Sequence, residues 1–168
     1  QQVVIATAAY HAAPLLASTG LCDDLATAIE RLPHEPIATV YLGLGAGQRL
    51  AHPMIGLTDG PAQWAFDRGQ LGGPEGLLAC VISAHGDHEA LSREALVDAT
   101  RAQLERQLGR ALPVPEWSQV ITEKRATIAC RPDVFRPGIR TPVPGLWLAG
   151  DYLASDYPAT LESAVRSG

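Results

Sequence analysis

Residues 144–168 read PGLWLAGDYLASDYPATLESAVRSG: an apolar strand, a Gly-Asp turn and the opening of a helix. The run Leu146–Ala149 has the length and composition of a buried strand, and Gly150-Asp151 ends it. Pro158 fits the first turn of a helix, where its missing N–H costs nothing. The N–H groups near Ala159, Thr160 and Leu161 are then left to donate to a ligand. Asp151, at the carboxyl end of the strand, can accept hydrogen bonds from sugar hydroxyls. A strand end beside a helix start is where open α/β sheets bind cofactors. An Asp-capped turn without a ligand has the same spacing, and the residues alone leave both readings open.

Working outward, Val3–Ala8 reads as a short buried strand, and His11–Ser18 as a connection or short helix around Pro14. Leu25, Ala28, Ile29 and Leu32 give Asp23–Leu32 helical spacing, stopped by Pro33. Ile37–Leu42 is a β-branched strand; Gln63–Asp67 and Leu77–Ser83 are two more, joined as a hairpin across Gly72-Gly73-Pro74-Glu75-Gly76. Arg93–Leu108 is the clearest helix, with Ser92 as N-cap, Leu91 and Leu96 at staple positions, Leu96, Thr100 and Leu104 on one face and Gly109 at its end. Gln119–Cys130 reads as a long strand, and four prolines make 131–145 a stiff extended loop. The order is mixed α and β.

The 168 residues suffice for a hydrophobic core, and 46% apolar with 18% charged residues excludes disorder. A net charge of −5 with no basic run sets nucleic acid aside. No apolar stretch reaches the ~18–20 residues that span a bilayer. Cys22, Cys80 and Cys130 are odd in number and widely spaced, which suits reduced, buried cytosolic thiols. The strand pattern starting at once after Gln1-Gln2, and a helix that has barely begun by Gly168, suggest a piece of a longer polypeptide.

Gly43-Leu-Gly45-Ala-Gly47 follows a strand, but Gln48 stands where a dinucleotide fingerprint needs its third glycine, so a turn is expected. His85, Asp87 and His88 lack a second ligand cluster, so no metal is expected. No Gly-x-Ser-x-Gly elbow supports a hydrolase. Glu123-Lys124-Arg125 reads as a solvated patch. Trp64, Phe66 and Trp117 could line a lipid pocket, although strand aromatics usually fill cores.

Pro144–Gly168 resembles the C-terminal FAD-binding signature of the flavin amine oxidase and phytoene desaturase superfamily. PIATVYL (36–42), DGPAQWAFDRG (59–69), VISAHG (81–86) and EKRATIACRP (123–132) are similar to its squalene-associated FAD-dependent desaturase branch, the hydroxysqualene dehydroxylases of hopanoid biosynthesis. The resemblance covers essentially all of the chain. It implies a partial glutathione-reductase-type FAD-binding fold with a β-sheet substrate domain: 1–16 and 140–168 as remnants of the FAD-binding domain, and 17–139 as the substrate domain. Gly150 and Asp151 would approach the pyrophosphate and ribityl chain, and Ala159, Thr160 and Leu161 would sit beside the isoalloxazine. Pro158 would set that turn and Ala164 would allow close packing. The family's N-terminal Rossmann unit, with its glycine-rich phosphate loop, is missing. The expectation is therefore a C-terminal fragment that holds FAD weakly, is inactive alone, and self-associates through the surface so exposed.

For the parent protein the resemblance implies replacement of the hydroxyl of hydroxysqualene by hydride from reduced flavin, giving squalene. Lys124 and Asp67 are the polar residues to test for aiding hydroxide departure, and Trp64, Phe66, Val81 and Trp117 are the apolar lining. So apolar an isoprenoid substrate suggests a cytoplasmic enzyme loading from a membrane surface. The alternatives are a phytoene or carotenoid desaturase and a flavin amine oxidase. Only nine aromatic residues (three Trp, four Tyr, two Phe) count against an amine cage. A cofactor-free binding or oligomerisation module is the alternative of another class.

Overall fold

The computed structural model describes residues 2–168; the expectations that include Gln1 lie, at that position, outside the described residues. In chain order the elements are β1 (Val3–Ile5), α1 (Ala9–Ala17), α2 (Asp23–Glu30), β2 (His34–Gly43), β3 (Met54–Gly56) and β4 (Trp64–Asp67). There follow β5 (Leu77–Ser83), α3 (Arg93–Leu108), β6 (Trp117–Ile128), β7 (Leu146–Leu148) and α4 (Leu161–Ser167). The chain divides into two units, Gln1–His34 with Thr127–Gly168, and Glu35–Ala126.

In the first unit β1 and β7 run parallel, Val3 opposite Leu146 and Ile5 opposite Leu148. Helix α1 buries Ala9, Ala12, Ala13 and Leu16, one stripe at helical spacing. Cys22, Ala26, Ile29, Leu32, Ile128, Leu148, Tyr152 and Leu153 complete this core. The first strand is shorter than the expected 3–8, because α1 already opens at Ala9. Val3 and Val4 are exposed rather than buried, since β1 pairs with β7 alone among the described strands. Cys130 is also exposed, against expectation, while Cys22 and Cys80 are buried. Burial pushes the Cys80 thiol up to about 12, so it stays protonated and inert.

The second unit is a five-stranded sheet in the order β3-β4-β5-β2-β6, with α3 on one face. The β4–β5 hairpin is antiparallel as expected, and β2 pairs antiparallel with β5 from Ile37–Ser83 to Gly43–Leu77. Glu116 N–H donates to the Gly43 carbonyl at 2.8 Å, and Ala129 N–H to that of Pro33, so β6 runs antiparallel to β2. Strand alternation decides what faces α3: Ala38, Val40 and Leu42, Ala65, and Leu78, Cys80 and Ile82 point inward against Leu96 and Leu104. The Ser92 hydroxyl caps α3 by accepting from Ala95 N–H at 3.1 Å, and left-handed Gly109 ends it. Leu91, expected as a staple, is exposed. The edge strand β3 was not expected from the sequence.

One α3 side chain holds the loop before β4. Gln103 is buried, and its amide donates to the carbonyls of Thr58 (2.9 Å) and Ala62 (2.8 Å) while accepting from Ala62 N–H (3.0 Å). Gln103→Leu keeps the volume and strands those three backbone groups. It is expected to cost about 2 kcal/mol, read as a lower urea midpoint with an unchanged slope.

Candidate functional site

The first unit brings strand exit, turn and helix together. Ala149 N–H donates to the Ile5 carbonyl, and Gly150 N–H donates to the Ser167 hydroxyl at 2.8 Å, tying the end of β7 to the last turn of α4. A Cβ on Gly150 would lie 2.5 Å from the Tyr152 ring, so only glycine permits this approach. Tyr152 is fully buried, and among the described residues nothing hydrogen-bonds to its hydroxyl. Burial first, then the neighbouring Asp151 charge, push that phenol up to about 12. Asp151 is half-buried, and no hydrogen bond reaches its carboxylate among the described residues.

The helix start differs from expectation. Leu161 is the first residue of α4, and Thr160, in extended conformation, is its N-cap, with its hydroxyl accepting from Ser163 N–H at 3.3 Å. Pro158 therefore precedes the cap rather than lying in the first turn. The cause is the Thr160 hydroxyl, which satisfies a helix N–H that proline cannot cap. The Ala159 carbonyl accepts from the Thr127 hydroxyl at 3.2 Å, and Ala164 is half-buried on the helix. Sequence reasoning passed over Arg136. Its guanidinium donates to the carbonyls of Asp151 (2.5 Å), Tyr157 (2.7 Å) and Tyr152 (3.4 Å) and to the Ser163 hydroxyl (3.2 Å).

In the second unit, the sheet face away from α3 carries the expected apolar residues. Trp64 stands directly across from Val81, and Phe66 from Ala79, with Met54 beyond Phe66 on β3. Thr39 and Tyr41 continue the face on β2. Trp117 belongs to it too: a Cβ on Gly43 would meet the Trp117 indole at 2.3 Å, so the ring lies flat where glycine leaves room. Trp64 and Trp117 are 43% and 48% exposed, so neither fills a core. The structure thus gathers Trp64, Phe66, Val81 and Trp117 onto one open wall.

Set beside known proteins, the whole chain, residues 1–168, matches the model of the flavin containing amine oxidoreductases. The chain belongs to this family. Its members are flavin-dependent oxidoreductases, and the mixed α/β architecture seen here is the partial flavoprotein fold expected. The hydroxysqualene dehydroxylase of Zymomonas mobilis is 35% identical over 117 residues, covering 68% of this chain and 27% of that protein. The zeta-carotene desaturase of Arabidopsis thaliana is 29% identical over 96 residues, covering 55% of this chain and 17% of that one. A structure described as a putative protoporphyrinogen oxidase from Exiguobacterium superposes with a TM-score of 0.63 at 17% identity, covering 99% of this chain and 39% of that one. The chain thus spans between 17% and 27% of the length of the curated relatives it matches.

Neither polar candidate is brought to the aromatic wall of this family member. Asp67 alternates with Phe66 and points to the α3 side, buried, accepting from Leu50 N–H, Gln70 N–H and the Gln70 side chain. Lys124 is exposed on β6, and alternation sets it on the face of Val120, opposite that of Trp117. His85 Nδ1 lies 3.0 Å from Glu89, and hydrogen bonding from His85 holds the Glu89 carboxyl below its usual value. No metal-ligating cluster forms among the described residues. Among those residues no helix is long and apolar enough to cross a membrane.

Proposed function

We propose that these residues carry the flavin-facing turn and the substrate wall of an oxidoreductase that binds FAD and acts on a squalene-type isoprenoid, replacing the hydroxyl of hydroxysqualene with hydrogen. The observation that carries the substrate class is the open wall of Trp64, Phe66, Val81 and Trp117. Burying such a surface against a polyprenyl chain gains about 25 cal/mol per Å² with no demand on hydrogen-bond partners, which suits a hydrocarbon that offers none. A substrate of this kind partitions into bilayers, so loading from a membrane surface at the cytoplasmic side accompanies the proposal.

The turn fits a flavin dinucleotide. Its Asp151 carboxylate is unclaimed, and the buried Tyr152 hydroxyl, packed where Gly150 has no Cβ, lacks a partner among the described residues. Gly150 and Asp151 would face the pyrophosphate and ribityl hydroxyls; Pro158, Ala159, Thr160 and Leu161 would face the isoalloxazine, with Ala164 packing behind. These residues lie within 1–16 and 140–168, the stretches proposed to contribute to the FAD-binding domain, with 17–139 carrying the substrate. When bound, FAD supplies two-electron redox chemistry at carbon. Asp151 accepts hydroxyl protons in hydrogen bonds and fixes the sugar chain; the wall orients the substrate and excludes water from it. The 168 residues hold no Gly-x-Gly-x-x-Gly, and by themselves are expected to bind FAD loosely and not to turn over.

The test is the visible flavin spectrum and product analysis of the full-length protein. The expected outcome is a yellow protein that, once its flavin is reduced by added dithionite, converts hydroxysqualene to squalene, with Asp151→Ala weakening FAD binding by about tenfold or more. Conversion of phytoene instead would favour the desaturase reading, to which the zeta-carotene desaturase similarity lends support. A colourless protein that ignores added FAD would leave only a cofactor-free module.

A further inference from the structure

We propose that Arg136 is the positioning residue of the flavin site, holding the Gly150–Tyr157 turn and α4 in binding geometry; this rests on the flavin reading above. The turn has few backbone bonds of its own: Leu153 N–H reaches Gly150 at 3.4 Å, and Ala154 N–H donates to Pro137 at 2.8 Å. The carbonyls of Asp151, Tyr152 and Tyr157 find their donor in one guanidinium instead. That group also reaches the buried Ser163 hydroxyl on α4, which itself lies 3.4 Å from the Asp151 carbonyl. Arg136 thus joins the two ends of the turn to the helix, using four of the directions that a rigid five-donor fork offers.

Two further features fit this role. Pro137 follows immediately, and its carbonyl takes the Ala154 N–H, so the dipeptide grips the turn through side chain and backbone together. All four acceptors of Arg136 are neutral, and no carboxylate pairs with it among the described residues. The guanidinium charge is thus not neutralised by a direct ion pair, and the Asp151 carboxylate of the same turn stays unclaimed among the described residues. A cation held so is suited to a ligand carrying a diphosphate, and with the acceptors pulled toward the arginine, the remaining face of the turn is left to the ligand.

The test is FAD affinity and the visible circular dichroism of bound flavin in the full-length protein. Arg136→Ala is expected to weaken FAD about tenfold or more and to change the flavin dichroism. Arg136→Lys, which keeps the charge but loses the fork, should fall between it and wild type. Ser163→Ala, which removes a single acceptor, should weaken FAD a few-fold, and with Arg136→Lys it decides the matter if Arg136→Ala does not fold. Variants that only lower the melting temperature, leaving affinity and dichroism as in wild type, would make Arg136 merely structural and overturn the inference. A wild-type protein without any flavin band would instead overturn the flavin reading, and this inference with it.

Discussion

Gly76→Ala is expected to cost the second unit about 3–4 kcal/mol, enough to unfold a marginal domain. Gly76 has φ +69°, where an L side chain costs about 1–2 kcal/mol by itself. The larger part comes from what the new methyl would strike. A Cβ there would lie 1.9 Å from the Gly45 carbonyl oxygen and 2.5 Å from its carbon. Both are backbone atoms, so no rotamer change relieves the overlap. Nor can the loop withdraw freely, since Leu44 N–H donates to the Gly76 carbonyl at 2.8 Å. Gly72 provides the control. Its φ of +82° carries the same conformational penalty, but no atom lies within 4 Å of its would-be Cβ. Gly72→Ala should therefore cost only about 1 kcal/mol. Urea titrations followed by tryptophan fluorescence measure the difference; equal midpoints for the two variants would show that the Gly45 contact does not constrain the fold.

That contact bears on what the sequence could show. The hairpin before β5 was legible because Gly-Gly-Pro-Glu-Gly has no other use than a turn, and α3 because its cap, periodicity and terminal glycine agree. The orientation of the aromatics was harder. Trp64 and Phe66 look like core by residue type, but the alternate positions Ala65 and Asp67 are the buried ones. A small residue and a carboxylate pointed inward, and that pattern was a usable signal for an open aromatic face. At the helix start, Pro158 suggested an earlier opening, whereas the hydroxyl of Thr160 sets the true one. Thr160 followed by Leu-Glu-Ser was the cue. Arg136 carried no cue at all, because its acceptors are main-chain carbonyls and a serine 15 to 27 residues away. Backbone acceptors leave no trace in residue identity. The edge strand β3, three residues long, is likewise set by pairing with β4 rather than by its own composition.

Asp67 separates a structural carboxylate from a catalytic one. Desolvation by burial alone would raise its pKa, but hydrogen bonds from the Gln70 side chain and from the backbones of Leu50, Gln70 and Gly69 outweigh it and hold the carboxyl below its ordinary value. A depressed pKa means that the ionised form stabilises the fold. That contribution is complete above the unfolded-state value of about 3.9 and is lost as pH falls through the lower folded value. Asp67→Ala removes the acceptor of Leu50 N–H (3.0 Å), Gln70 N–H (3.2 Å) and the Gln70 amide (2.7 Å) at once. The expected loss is about 3 kcal/mol near neutral pH. Asp67→Asn keeps the shape and should lose less, because its amide oxygen still accepts at one of the two positions. Both variants should approach wild type in stability only as pH falls below the lowered folded value of Asp67, where wild type has itself lost the ionised group. Urea midpoints followed from pH 7 down into strong acid test this; a gap that does not narrow on acidification would mean that packing, not charge, is what the site supplies. Turnover gives the second arm. Asp67 points to the α3 side of the sheet, away from Trp64 and Phe66, so folded Asp67→Asn in the full-length protein should keep its kcat. A fall of a hundredfold or more in kcat, on the scale that loss of a general acid produces, with stability intact, would return Asp67 to the chemistry.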